Sequence, residues 1–575
     1  MKTRRYYRNI LAFVVCFGIV IWNQTSIGAQ TVPSAYQNEL SAVTSRFPGT
    51  RAQGDYSTCW AFSALGLCEF DFICEDERYD TTFNLSELQL AYATYHSGVD
   101  PLGGTKGDGY EITGKSDYLV CGGNLEYAVR TLMQWKGPVL EEELPYEGIE
   151  QAKDYPLKNY YEKAVAHLQN VYKIPILEDA EGVKEQIMEH GAVGISYYSP
   201  TTVKEAVGYL GSAEYNGERV PVQYCDNRKM NANHAVNVVG WDDDFPAEAF
   251  VKTPPGNGAW LVRNSWSDAN DYEEGSYFWL SYYDETIEDE AWVLDFEPAD
   301  NYEHNYQYDG CILALDGSTV LDSLKFDAVA NVFSGQASEN EVLRAVSLSF
   351  MNRRDVPYTV KIYTDLSDIR NPRSGCLEEV VSGTTGYAGF YTIPLSKPVP
   401  IKKDTYYSVV VEFDSPSGVD MEFSFLSAMN HYKTTAAIEW GQSLAYKKGR
   451  WNDVWDAYRT YNLGNFCIKA YTDSVEGKNI KQVVKLAQKA RTKHSITLSW
   501  RKVKDAEGYE IYRSLKSGGP YEKIKTVKTT DKLTFTDKGL KSGKAYYYRM
   551  RAIGTNSDGT KLVGKLSVST KIKTK

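Results

Sequence analysis

The apolar run from Trp60 to Cys74 constrains this chain more than any other stretch, because a run so long and so continuous reads as a buried helix. It follows Gln53-Gly54-Asp55-Tyr56-Ser57-Thr58-Cys59, so Cys59 stands at the helix start. Ser57 or Thr58 is placed to accept bonds from the first free N–H groups of that helix. A thiol there feels the positive end of the helix dipole, which favours the nucleophilic thiolate. The bland alternative is a small hydrophobe at the start of a core helix, since free cysteines are among the most buried residues. The rest of the chain decides between the two.

A chain of 575 residues, 42% of them apolar, holds about three or four domains that each bury a core. The net charge of −12 hides an asymmetry. From Gly477 onward there are roughly 25 Lys/Arg against roughly 7 Asp/Glu, which leaves about −30 on the remainder. The acidic body excludes nucleic acid as a partner of the main domains, and the basic tail suits an anionic surface such as a cell wall or a solvated lysine face. Lys2, Arg4, Arg5 and Arg8 precede an apolar run from Ile10 to Trp22, with small residues at Ile27-Gly28-Ala29. This reads as an export signal over 1–29, cut after Ala29, with an uncleaved anchor as the alternative. The protein is accordingly expected outside the cell or on its surface. Eight cysteines follow the signal at wide spacings, without a disulfide framework, and no close CxxC or HxxxH pair offers a zinc site. Neither metal nor cofactor is expected.

Along the chain, Asn84 with Glu87 has capping-box spacing, Pro101 to Gly123 reads as loop, and Asn124 to Trp135 as helix closed by Gly137-Pro138. His167 and His190 fall within or at the end of amphipathic helices, and Gly191 caps the helix over 179–190. Thr201 to Asn233 carries little periodicity and reads as an excursion. Segments opening at His234, Ala259 and Tyr277 then alternate or run apolar as antiparallel strands. Helices first and strands afterwards indicate an α+β domain over 30–298. Short strands and turns over 299–473 suggest a β-sandwich, 474–494 a linker, and 495–575 a second β-sandwich.

A cysteine nucleophile needs a base, a group that orients the base, and donors for the oxyanion. Of seven histidines, His234 differs in opening an apolar strand. Asn264 also lies on a strand, followed by Ser265-Trp266, where an amide can hold an imidazole in one tautomer and an indole can shield that bond. Gln53 places an amide six residues before Cys59.

This ordered set resembles the papain-like cysteine peptidases, over about Val32 to Phe296. Gln53-Gly54 to Cys59-Trp60-Ala61-Phe62-Ser63 has the family's spacing, and Glu69, Leu85-Ser86-Glu87, Gly122-Gly123 and Pro145-Tyr146-Glu147-Gly148 match further blocks. The resemblance implies Cys59 as nucleophile, His234 as acid/base, Asn264 as its orienter and Gln53 as an oxyanion donor. It implies substrate contacts at Gly122, Gly123, Trp266 and Asn233. There are departures. Tyr56 and Val120 stand where the family pairs two cysteines, Ser267 replaces its glycine, and the His follows the Cys at longer spacing. The stretch between Ala29 and Gln53 is too short for the family's inhibitory propeptide. Residues 302–472, through segments such as Asn305-Tyr306-Gln307-Tyr308-Asp309 and Asn465-Phe466-Cys467-Ile468, resemble the lectin-like domain that follows such peptidases in secreted Gram-positive proteins. Trp440, Trp451 and Trp455 are candidates to stack on a sugar there. Residues 495–575 resemble a fibronectin type III module, with Trp500 as core residue. A secreted endopeptidase acting on proteins or peptides is the leading expectation. A surface adhesin built on a peptidase scaffold, binding glycan or cell-wall polymer, is the alternative, and a Cys-His peptidoglycan amidase a third.

Overall fold

The structure is a computed structural model that describes residues 31–37, 47–112, 117–146, 159–266, 269–270, 273–311, 314–316, 326–414, 422–425, 432–458, 463–528 and 532–575. The export-signal reading of 1–29 and the Ser267 departure lie outside these residues, as do Glu147 and Gly148. Among the described residues no helix is long and apolar enough to cross a membrane. None of the eight cysteines after residue 30 is in a disulfide.

The apolar run forms helix α1, Cys59–Glu75, buried on every side from Trp60 to Ile73. Its two buried carboxylates are matched rather than stranded. Glu69 meets Arg51 at 2.8 Å, and Asp71 accepts from the Phe296 N–H and pairs with His190 at 2.6 Å. Burial alone would lower the His190 imidazole, but its bond to Asp71 and that charge raise it to about 9. Helix α2, Glu87–Tyr95, starts two residues later than the capping-box spacing suggested. Leu85 is drawn into a bridge with Leu140 and donates to Glu69, so the chain stays extended until Ser86, whose Oγ accepts from Gln89 N at 3.0 Å. Glu87 turns to Arg51 instead of capping. Helix α3, Leu125–Leu132, is capped by Asn124, which accepts from Tyr127 N.

The helices pack on a thirteen-stranded sheet that is the largest departure from expectation. Separate domains were expected to meet near 298. Instead one sheet runs through both, and its join is the antiparallel pairing of Ala388–Lys402 with Ala166–Ile174, Ala388 opposite Lys173 through Tyr391 opposite Asn170. His167 lies in a strand and not a helix, its place in the ladder being opposite Glu297 of Ala291–Pro298. The expected excursion over 201–233 contains the hairpin of Leu210–Tyr215 and Glu218–Gln223, whose second strand runs parallel to Tyr277–Ser281 at the sheet's far end. The expected loop over 101–123 contains the strand Gly109–Ile112, which pairs with Tyr432–Thr435 of the following region.

Four strands of the long sheet, His304–Tyr306, Ile468–Ser474, Asn340–Phe350 and Ala388–Lys402, also form one layer of the second region. A six-stranded sheet covers them, and Val329, Ile362, Val409 and Val411 pack against Leu343, Val346 and Ile468 between the layers. Among the described residues a short helix, Val454–Tyr458, interrupts this β region. The last region is a three-stranded sheet over a five-stranded one, closed on Trp500, Tyr509 and Tyr548. The expected linker over 474–494 is part of it. Ile480 and Val483 are buried in its core, and Ala487–Arg491 pairs with Ser495–Ser499.

Candidate active site

Cys59 takes the first turn of α1, where the cap residue is Thr58. Neither Ser57 nor Thr58 caps the helix with its side chain as the sequence suggested. Thr58 Oγ1 is held by Tyr146 Oη at 2.7 Å, and Tyr146 in turn donates to the Gln53 carbonyl at 2.8 Å. The tyrosine ties the two stretches flanking the cysteine together, and the free N–H groups of the first turn stay aimed at the sulfur. Burial pushes the Cys59 thiol up, while N–H groups of Ala235, Trp60 and Cys59 itself pull the other way. The Ala235 contact seats the sulfur against the residue that follows His234.

His234 opens the strand His234–Asp242 and is only 6% exposed. Its Nε2 lies 2.7 Å from Asn264 Oδ1. The same Oδ1 accepts from the backbone N–H of Ser265 at 2.8 Å. A backbone N–H only donates, so that amide atom is the oxygen, and the imidazole nitrogen facing it must carry the proton. Nδ1 is left with its lone pair. Trp266 stacks on the ring, centroids 4.5 Å apart, and burial holds the imidazole down at about 4. Burial thus disfavours the charged form of each partner, while the N–H donors at the sulfur favour the thiolate and the bond to Asn264 favours the imidazolium.

Gln53 is buried beside them. Its Oε1 accepts from Ser265 Oγ at 2.7 Å, and its Nε2 donates one hydrogen to the Tyr56 carbonyl at 2.6 Å. One amide hydrogen remains. Asn233 is held to the backbone of Ser199, its Oδ1 accepting from the N–H and its amide donating one hydrogen to the carbonyl, and so fixes the entry to the His234 strand. Gly122 has φ +75° with open space where a side chain would project. A Cβ at Gly123 would lie 2.4 Å from the Trp60 ring, so only glycine lets the backbone rest on that indole. Tyr95 Oη donates to the Gly122 carbonyl at 2.8 Å. Ser265 and Tyr146 are the positioning residues that sequence reasoning passed over, although both lie in blocks it quoted.

The papain family cysteine protease pattern matches residues 39–292, and the lectin like domain pattern matches 306–472. This chain carries a papain-family cysteine protease domain. Over 241 residues, 42% of the chain and 56% of the relative, it is 26% identical to the viral cathepsin of Antheraea pernyi nuclear polyhedrosis virus. It is 26% identical to a cysteine protease of Blomia tropicalis over 223 residues, 38% of the chain and 54% of the relative. The chain thus spans about half the length of the curated relatives it matches. The solved clostridial cysteine protease Cwp84 after propeptide cleavage superposes with a TM-score of 0.58 at 23% identity, covering 75% of this chain and 97% of that one. A second structure holds the cysteine protease and lectin-like domains of Cwp84, a surface layer associated protein of Clostridium difficile, with the same TM-score over 77% and 89%. These two share the protease domain's fold and the β-rich region after it.

Outside this site, Asp71, Glu75 and His190 bring ligand atoms within 4.8 Å of one another. In this group Asp71 pairs with His190 through one oxygen and accepts from the Phe296 N–H through the other.

Proposed function

We propose that the protein is a secreted cysteine endopeptidase in which Cys59 is the nucleophile, His234 the acid/base, Asn264 its orienter and Gln53 an oxyanion donor. The observation that supports this most directly is the tautomer of His234, protonated on Nε2 by the Asn264–Ser265 arrangement and basic at Nδ1. The Cys59 thiol gives its proton to Nδ1, and the thiolate attacks the carbonyl carbon of the scissile peptide bond. The Cys59 N–H and the remaining amide hydrogen of Gln53 hold the oxyanion, a kind of interaction worth about 10²–10³ in rate per donor. His234 passes the proton to the leaving amine. A water then attacks the thioester, with Nδ1 as base, and frees the acid and the thiol. Gly122 and Gly123 let an extended substrate backbone approach the cleft, and Trp266 keeps water from the His234–Asn264 bond.

The test sets Cys59→Ala beside wild type on casein or gelatin. Cleavage is expected to fall by at least about 10³-fold. Equal cleavage by the two proteins overturns the assignment.

A second reading, glycan or cell-wall binding through residues 306–472, is favoured by the lectin like match and by Trp440, which is 48% exposed with the Arg370 guanidinium 5.5 Å above its ring. Trp451 is less available than its sequence position suggested, because Arg373 lies over it and over Tyr446. Binding to glycan arrays or wall preparations that is unaffected by Trp440→Ala removes the support for that site. Wall attachment would put the protease at the cell surface, in keeping with the surface-layer association of Cwp84.

A further inference from the structure

Between α2 and α3, residues 117–123 carry the Gly122–Gly123 backbone, while much of 97–112 is held by the second region. Gly109–Ile112 pairs antiparallel with Tyr432–Thr435, Gly109 opposite Thr435. The Asp108 carboxylate, 8% exposed, accepts from Gly310 N through one oxygen and from Ala437 N through the other, both at 2.6 Å. Tyr110 Oη donates to the Gly310 carbonyl, and Gln336 Nε2 donates to the Leu102 carbonyl at 2.7 Å. Gly310, Gln336 and Ala437 all belong to the lectin-like region.

The same stretch leans on the end of α2, and α2 leans on the glycine pair. Tyr110 N donates to Ser97 Oγ at 2.9 Å. The Tyr118 ring stands edge-on to the stacked Tyr92 and His96 rings, with centroids at 5.7 and 5.2 Å. Tyr95 donates to the Gly122 carbonyl, and the Leu119 carbonyl accepts from Ser57 N at 2.8 Å, two residues before Cys59. Hydrogen bonds, the chain from Ser97 back into α2, and packed rings together link the second region to the wall of the cleft.

We propose that the lectin-like region is a fixed buttress for the substrate wall of the protease domain, and that Asp108 is the positioning residue that docks that wall. This rests on the peptidase reading above. Asp108 touches no substrate. It sets where the Gly122 and Gly123 backbone groups stand, so loss of the docking loosens peptide binding and leaves the Cys59–His234–Asn264 chemistry in place. Coupling along such a line is established by perturbing it, not by its continuity.

The experiment uses the full chain with Asp108→Ala, Asp108→Asn and Tyr110→Phe. It reads kcat and KM on peptides, labelling of Cys59 by a thiol-directed peptidyl probe and by a small non-peptidyl thiol reagent, and thermal unfolding. For Asp108→Ala, KM and the peptidyl probe's half-saturating concentration are expected to rise about tenfold, with kcat and the small reagent's rate within about twofold. Asp108→Asn keeps one acceptor and should recover part of the loss. Tyr110→Phe, the milder lesion should Asp108→Ala not fold, should raise both by about threefold. Unchanged KM and probe affinity in the folded variants overturn the proposal, as does a fall in kcat that merely tracks loss of reactive Cys59. The labelling arm needs no turnover. A wild type that cleaves nothing therefore overturns the peptidase reading alone, while probe affinity still decides the buttress.

Discussion

The two seams of the molecule are built from different materials. Between the protease domain and the lectin-like region, backbone pairs with backbone across Ala166–Ile174 and Ala388–Lys402, and Thr392 adds bonds to Asn170 and to the Gln169 carbonyl. Rings are stacked beside that join. His167 lies on Trp135 with centroids 3.6 Å apart, Trp135 on Tyr471 at 5.4 Å, and Tyr471 on Tyr302 at 5.2 Å. Between the lectin-like region and the last sandwich the backbone contribution among the described residues is small, a short bridge at Tyr521 and the Val475 N–H on the Asn340 carbonyl, and the centre is buried charge. Arg551 is fully buried, 2.8 Å from Glu378 on one side of the seam and 2.8 Å from Glu510 on its own. Burial alone would push the Glu510 carboxyl up, but Arg551, Lys561 and Lys523 hold it well below the usual carboxylate range. A seam of backbone and rings spreads its stability over many small contacts. A seam of buried charge concentrates it in one residue, since a buried ion that loses its partner costs far more than the pair contributed.

The sharpest way to break that comparison is Arg551→Ala. It takes the guanidinium from buried Glu378, while Glu510 keeps Lys561 and Lys523, and should cost about 3–5 kcal/mol, loosening the last sandwich. Calorimetry and limited proteolysis near residues 474–486 measure it, and casein cleavage should be unchanged. A cost under about 1 kcal/mol would mean that the second seam is distributed like the first.

At the first seam, His167 tests whether ionisation matters. Burial lowers its imidazole to about 4, from about 6.5 in an unfolded chain. The folded state therefore resists the proton. The stability His167 contributes is full above pH about 6.5 and is lost as pH falls through about 4, up to about 3 kcal/mol. Urea unfolding of wild type and His167→Gln from pH 7 to 4 should show wild type losing that much more. Parallel pH profiles would show that the ring stack tolerates a charged imidazole.

The smallest effect is expected from Tyr471→Leu, which removes one ring from the stack and leaves the strand pairing. It should cost about 2 kcal/mol in urea unfolding, with both sandwiches still protected from protease. Release of the whole lectin-like region would show that the rings, rather than the strands, hold the seam.

Much of the protease site was legible because its signals are local or ordered along the chain. A buried helix led by Cys59, a histidine opening an apolar strand and an Asn-Ser-Trp block are each readable in a few residues, and their order is the family's. The capping details were misread for a tertiary reason. Thr58 has a hydroxyl of the right kind at the right place, but Tyr146 lies within reach of it and takes it. Asn84 and Glu87 have the right spacing, but Arg51 claims Glu87. Gln53 and Asn233 were picked out by position, whereas their bonds to Ser265 and Ser199 depend on how distant stretches meet.

The sequence by itself determined the buried helix, the residues able to do thiol chemistry, and the succession of an α+β region and two β regions, because hydrophobic period and side-chain type are properties of short stretches. Tertiary structure alone decided that the α+β region and the first β region share one sheet, that Gly109–Ile112 is a strand, and that Ile480 and Val483 belong to the last core. A strand edge carries no mark of which partner will satisfy its N–H and C=O groups, since every residue but proline offers the same pair. Which edges meet is settled only when the apolar faces of the whole chain have packed.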